Sequence, residues 1–362
     1  MGKMSKKLKR LITGVIAITM LLAATTACGG NDKENAEEET SKIPEVSTEA
    51  DQETDDQSDV AEEKSARIGV IQFMEHPSLD QAYKGFVEYL GQNGYVEGEN
   101  LEIDFQNAQG EQANCQTIAG QFSTAGYDVI LAIATPAAQA VANVITDTPI
   151  LVTAVTDLES TQLVDSNEVP GGNVSGTSDM TPIYDQIELI RILFPDIKEL
   201  GIIYSSGEPN SELQVEGAKE AADQLGMNVT DVTISSTNEI QQVTESIIAN
   251  VEAIYLPSDN AIASSMPTVA KVALDHNVPI IPAVEAMCAE GGLASIAINY
   301  YNLGEQTADM ALRIIEDGAD VATMPVEFTE NPELVINQEY AEMIDYTFPE
   351  EVLAKARDAQ VE

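Results

Sequence analysis

Polar side chains recur along this chain where apolar runs have just ended. They read Gln72-Phe73-Met74-Glu75-His76, Ala134-Thr135-Pro136-Ala137-Ala138, Thr156-Asp157, Ser178-Asp179, Ser206 to Asn210, Ser258-Asp259-Asn260, Glu285 and Asn299-Tyr300. Hydroxyls, amides and carboxylates in that setting can hold a small polar ligand, and they can equally cap the helix that follows. No Gly-x-Ser-x-Gly elbow, phosphate loop or dinucleotide fingerprint runs through them. Imidazoles are limited to His76 and His276, and the cysteines are Cys28, Cys115 and Cys288 with no Cys-x-x-Cys pair. Those counts are too small for a zinc site. The expectation is therefore reversible binding, with no enzyme activity, metal or cofactor, and with Cys115 and Cys288 as free, mostly buried thiols.

The elements that must position these residues alternate regularly. Strands are expected over 67–73, 101–105, 128–134, 149–155 and 173–177, with helices over 79–92, 112–124, 136–144 and 182–193. The alternation then restarts. Strands fall at 200–204, 228–233, 253–256, 279–282 and 293–298, and helices at 211–225, 239–248, 261–276 and 303–316. Strands separated by helices build parallel sheets from βαβ units. Two such sets predict an α/β protein of two doubly wound lobes, with ligands bound outside the carboxyl ends of the strands.

Ahead of the lobes stands a leader. Lys3, Lys6, Lys7, Lys9 and Arg10 precede an apolar run from Leu11 to Ala24, shorter than the roughly 20 residues of a membrane span. Thr25-Thr26-Ala27-Cys28 resembles the lipobox of bacterial lipoproteins, although Thr25 stands where leucine is usual. The resemblance implies a signal peptide over 1–27, lipidation of Cys28 and a membrane anchor. Residues 28–65 are rich in Glu, Asp, Ser and Thr, which predicts a disordered tether. The formal net charge of -44 disfavours nucleic acid and anionic lipid as partners.

Leader, tether, two α/β sets and the segments Gln72-Phe-Met-Glu-His-Pro-Ser-Leu-Asp80, Ala134-Thr-Pro-Ala-Ala-Gln139 and Asn299-Tyr-Tyr-Asn-Leu-Gly304 resemble the substrate-binding lipoproteins of ABC importers, in the tryptophan/tyrosine branch. That resemblance implies a type I periplasmic-binding-protein fold whose three crossovers are expected near Pro182, Tyr300 and Pro325. Lobe 1 would join 66–181 with 300–324, and lobe 2 would join 182–299 with 325–362. It further implies a monomer on the extracytoplasmic face that passes an amino acid to a permease and, through it, an ATPase. A sensory lipoprotein presenting its ligand to a receptor would use the same lobes.

For an amino acid, donors for the carboxylate are expected from Thr135 and the amides of Ala137 and Ala138, with Thr156 adding a hydroxyl. By the same resemblance Glu285 is the expected ammonium acceptor, ahead of Asp259, with Asp157 and Asp179 as alternatives. Phe73 and Tyr300 could flank the ligand side chain. Glu75 and His76 are expected at the cleft mouth, and Ser206, Asn210 and Asn260 among the remaining contacts.

Overall fold

The computed structural model describes residues 64–329 and 331–359. The expected leader, Cys28 and most of the acidic tether lie outside the described residues.

The first set of elements is β1 (Ala66–Gln72), α1 (Pro77–Gln92), β2 (Leu101–Asn107), α2 (Gln112–Phe122), β3 (Val129–Ile133), α3 (Thr135–Ala142), β4 (Ile150–Val155) and β5 (Val174–Ser178). The second set runs α4 (Ile183–Leu193), β6 (Glu199–Ser205), α5 (Pro209–Gln224), β7 (Asn228–Ile234), α6 (Ile240–Ile248), β8 (Ala253–Leu256), α7 (Asn260–Ala263), α8 (Met266–His276), β9 (Ile280–Pro282), α9 (Glu285–Ala289) and β10 (Ala294–Ala297). The chain closes with α10 (Tyr300–Asp317), β11 (Glu327–Phe328), β12 (Glu333–Ile336), α11 (Gln338–Met343), α12 (Glu350–Leu353) and β13 (Arg357–Asp358).

Three sheets result. The first has the order β11-β5-β4-β3-β1-β2 and the second β7-β6-β8-β9, both parallel throughout. Central strands β3 and β4 are buried along their whole length, as expected for apolar runs covered on both faces, whereas edge strand β2 is half exposed. Helices α1 and α10 pack together against the first sheet, and α2 packs on α3. Likewise α4 packs on α5 and α6 on α8 around the second.

The third sheet, β10-β12-β13, departs from the all-parallel expectation because β10 and β12 run antiparallel. Its strands have four, four and two residues, too short for a periodic signal. Helix 261–276 is broken into α7 and α8, because Pro267 opens α8 and disfavours helical geometry just before it. Glu327 and Phe328 still pair with Thr177 and Ser178 of the first sheet, so the chain leaves that sheet after Phe328 rather than near Pro325.

Helices α1 and α10 approach to backbone contact. A Cβ on Gly304 would lie 2.0 Å from the Ala82 carbonyl oxygen, and one on Gly85 would lie 2.1 Å from that of Tyr301. Only glycine permits that approach. It fixes the start of α10, and with it Tyr300, against α1.

Candidate functional site

The carboxyl ends of both parallel sheets close on one inner cavity whose free volume is only about 10 Å³, room for roughly one water, so a ligand is admitted only when the lobes part. From the first sheet's side come His76, Ser78, Leu79, Ala154, Asp179 and Tyr300; from the second come Asn210, Ser258, Asp259, Asn260, Ala263 and Val284. None of these lining residues is lysine or arginine.

Backbone strain marks the first sheet's rim. Ala134, after β3, has φ +81°, and Ala154, in β4, has φ +54°, a region costly for residues with a Cβ. Between Val152 and Val155 the β4–β5 register also shifts. The irregularity turns Ala154 toward the cavity.

Asp179 follows β5 and is buried. Its Oδ2 accepts the Tyr300 hydroxyl at 2.6 Å, while Oδ1 has no hydrogen-bond partner in the protein. Burial raises its carboxyl above the ordinary aspartate range, with the Tyr300 and Thr156 side chains opposing. An acid oriented by a neutral hydroxyl and open on its second oxygen is suited to a cationic donor.

His76 crosses to the other sheet, its Nε2 lying 3.0 Å from Asn260 Oδ1. The Asn260 amide is turned by Glu208, whose Oε2 accepts from Asn260 Nδ2 and, at 3.1 Å, from the Asn260 backbone amide. Ala261 N donates to the other Glu208 oxygen at 3.0 Å. With Oδ1 thus facing the imidazole, Nε2 carries the proton and Nδ1 is left as an acceptor. Nδ1 is buried and has no partner. Burial depresses the imidazole to about 4, so the ring is neutral. Glu208 itself is pushed well above the ordinary glutamate range, by burial first and by neighbouring Asp259 second.

The remaining expected residues divide. Asn210 lines the cavity, donating from Nδ2 to the Ser258 carbonyl at 3.0 Å with its Oδ1 unpartnered. Thr135 is buried at the end of β3, its hydroxyl also unpartnered. Pro136 lacks an amide hydrogen, and the Ala138 amide donates to Ala134 O at 3.0 Å, so of the two expected alanine amides only that of Ala137 falls outside this bond. Asp259 is already satisfied: Ser205 N (2.6 Å) and Ser211 Oγ (2.7 Å), from the β6–α5 region, fill Oδ2, and Ile262 N (2.9 Å) fills Oδ1. Asp157 caps its own turn through the amides of Glu159 and Ser160 at 3.0 and 3.1 Å.

Four others stand apart from the inner cavity. Phe73 belongs to the hydrophobic core, Glu75 is exposed, and Ser206 is exposed and bonded to Ile234 O at 3.2 Å. Glu285 lies in a neighbouring groove between the sheets, in a two-point ion pair with Arg357. Thr156, by contrast, is buried with its side chain against the cavity-lining Asp179 carboxylate, while its carbonyl accepts from Ser178 Oγ at 2.7 Å. Sequence reasoning missed Glu208 as a positioning acid, since only the fold brings it to Asn260. It also gave no sign that Arg357, almost at the chain end, would neutralise Glu285.

Two lobes of parallel α/β structure whose strand ends enclose a small polar cavity define a type I periplasmic binding protein. The chain belongs to the ABC transporter substrate binding protein family, whose match spans residues 67–360. It is 39% identical over 345 residues, 95% of this chain and 94% of the other, to a tyrosine-binding protein of Clostridioides difficile. Among solved structures, an ABC domain in complex with L-Trp from Streptococcus pneumoniae is 40% identical, covers 82% of this chain and 99% of its own, and superposes with a TM-score of 0.79. A ligand-free, open substrate-binding protein with adhesive properties from Clostridium difficile has similar identity, 39%, and covers 82% of this chain and 100% of its own, yet its TM-score is 0.63. The lower score against the open form, at matched identity and coverage, agrees with the lobe contact between His76 and Asn260.

Proposed function

We propose that this substrate-binding protein captures an amino acid, aromatic in its side chain, in the inner cavity and delivers it outside the cytoplasm to an ABC permease driven by an ATPase. One observation carries the reading: the cavity walls offer open acceptors on Asp179, Asn210 and His76 and contain no basic side chain. A ligand with a cationic donor meets that demand. The Asp179 Oδ1 atom takes the α-ammonium, with Tyr300 holding the carboxyl in place. Thr135 and the Ala137 amide at the start of α3 serve the carboxylate from the neighbouring strand end, favoured by the helix dipole. The Tyr300 ring supplies an aromatic wall. The 39% identical tyrosine-binding protein and the L-Trp complex support an aromatic ligand.

Binding occurs without chemical change, the ligand being released intact. The leader resemblance supports lipidation at Cys28 and tethering of the lobes to the membrane, in a monomer. A thermal-shift screen against the twenty amino acids, small peptides, nucleosides and sugars tests the ligand, because a ligand of the native state raises the melting temperature. Shifts confined to aromatic amino acids are expected; a shift with sugars or nucleosides alone would overturn the assignment. Cys28→Ser is expected to release the protein from membranes into the medium.

A further inference from the structure

We propose that His76 selects the ligand by accepting a hydrogen bond from a donor on its side chain, an indole N–H or phenol O–H, and that Glu208 sets this acceptor through Asn260 across the cleft. The inference rests on the amino-acid reading above and adds the residue that separates one aromatic ligand from another.

Position comes first. In the first sheet β4 and β3 stand between β5, which carries Asp179, and β1, which leads to His76. Strands lie about 4.8 Å apart, so the two backbones are separated by roughly 14 Å. Asp179 and His76 therefore border the same closed cavity from opposite sides, and parting of the lobes opens the space between them to a ligand. With the ammonium at Asp179 and the carboxylate at the intervening end of β3, the ligand side chain extends toward His76.

Chemistry comes second. Nδ1 of His76 is buried and unpartnered, and its lone pair is not a matter of chance. Glu208 accepts from both the backbone and the side-chain amide of Asn260, which fixes the amide orientation; Asn260 Oδ1 then requires the proton on Nε2. Glu208 and Asn260 touch no ligand atom in this scheme and act as positioning residues. Because Asn260 belongs to the opposite lobe, the acceptor is defined only when the cleft is closed. A phenylalanine side chain would leave Nδ1 without a partner in a closed site, a loss that hydrogen-bonding pockets convert into discrimination.

Calorimetric titration of the full chain with L-Trp, L-Tyr and L-Phe is the test, repeated for His76→Phe and Asn260→Leu. Wild type should bind Tyr and Trp roughly ten- to a hundredfold more tightly than Phe. In His76→Phe the Tyr-to-Phe and Trp-to-Phe ratios should collapse toward one. Asn260→Leu should lower both ratios less, and the nitrogen-15 NMR signals of His76 should change from a single Nε2–H tautomer to a mixture. That tautomer change is a readout that a merely structural role would not move. Equal binding of Phe and Tyr by folded wild type would overturn the proposal while leaving the amino-acid reading intact. Equal losses for Tyr and Phe in His76→Phe would also overturn it, by assigning His76 to a group both ligands share. Absence of binding for every amino acid would remove the reading on which it rests.

Discussion

Tyr300 and Asp179 come from segments more than a hundred residues apart, yet the phenol donates to the Asp179 carboxylate at 2.6 Å within the buried heart of the cleft. The contact uses one carboxylate oxygen and leaves the other for a ligand. It also joins the N-terminus of α10, which follows β10 of the third sheet, to the end of β5.

Asp179→Asn should weaken amino-acid binding by roughly ten- to a hundredfold, the range for losing a hydrogen bond to a charged group. The melting temperature of the ligand-free variant should hold or rise, since burial disfavours the charged carboxylate. Tyr300→Phe should cost affinity less, because the carboxylate survives it. Calorimetry alongside thermal unfolding separates the two effects, and unchanged affinity in Asp179→Asn would move the ammonium site elsewhere.

Glu285→Ala should behave in the opposite way. Glu285 is largely buried and holds Arg357, which also pairs with Glu333 at 2.5 Å. Its loss should lower stability by about 1–3 kcal/mol, as for a partly buried polar group left unsatisfied, with affinity altered less than threefold. A severe loss of affinity with unchanged stability would restore Glu285 to the ligand site.

Gly304→Ala should be strongly destabilising, by about 1–3 kcal/mol or more, since its new methyl would meet the Ala82 carbonyl. Relief requires α10 to move away from α1, which shifts Tyr300. Affinity and melting temperature should therefore fall together, a pairing that neither Asp179→Asn nor Glu285→Ala produces.

Stability of the ligand-free protein should peak in mildly acid solution. From about pH 4 to 6.5 the unfolded chain binds a proton that folded His76 refuses, so stability rises with pH there, on the order of 3 kcal/mol for this group alone. Glu208, Asp259 and Asp179 act in the other direction. Raised in the fold mainly by burial, they keep protons that the unfolded chain has released above its ordinary carboxyl range near pH 4, and stability falls as pH climbs through their raised values. Melting temperatures should be higher near pH 5.5 than near pH 7.5. The slope should persist at high salt, which screens repulsion on the acidic surface but not within the buried cluster. A rise from pH 5.5 to 7.5 would show that these carboxyls ionise freely.

The sequence by itself determined the two α/β sets, most strand and helix positions and the strand-end loops that face the cavity. Those follow from local chemistry: apolar runs bounded by turn residues, and prolines that start or break helices. It also carried enough likeness to place the chain in its family. Only the tertiary structure decided which polar residues remain open. Asp259 and Asp157 read as ligand acids, yet Asp259 is filled by Ser205 N, Ser211 Oγ and Ile262 N, and Asp157 by amides of its own turn. Glu285 was the favoured acid, yet Arg357, from the far end of the chain, neutralises it. Asp179, His76 and Asn210 keep unpartnered acceptors in the cleft because their remaining contacts come from distant elements. A residue type states what a side chain can bond to, whereas satisfaction depends on neighbours that long-range packing supplies.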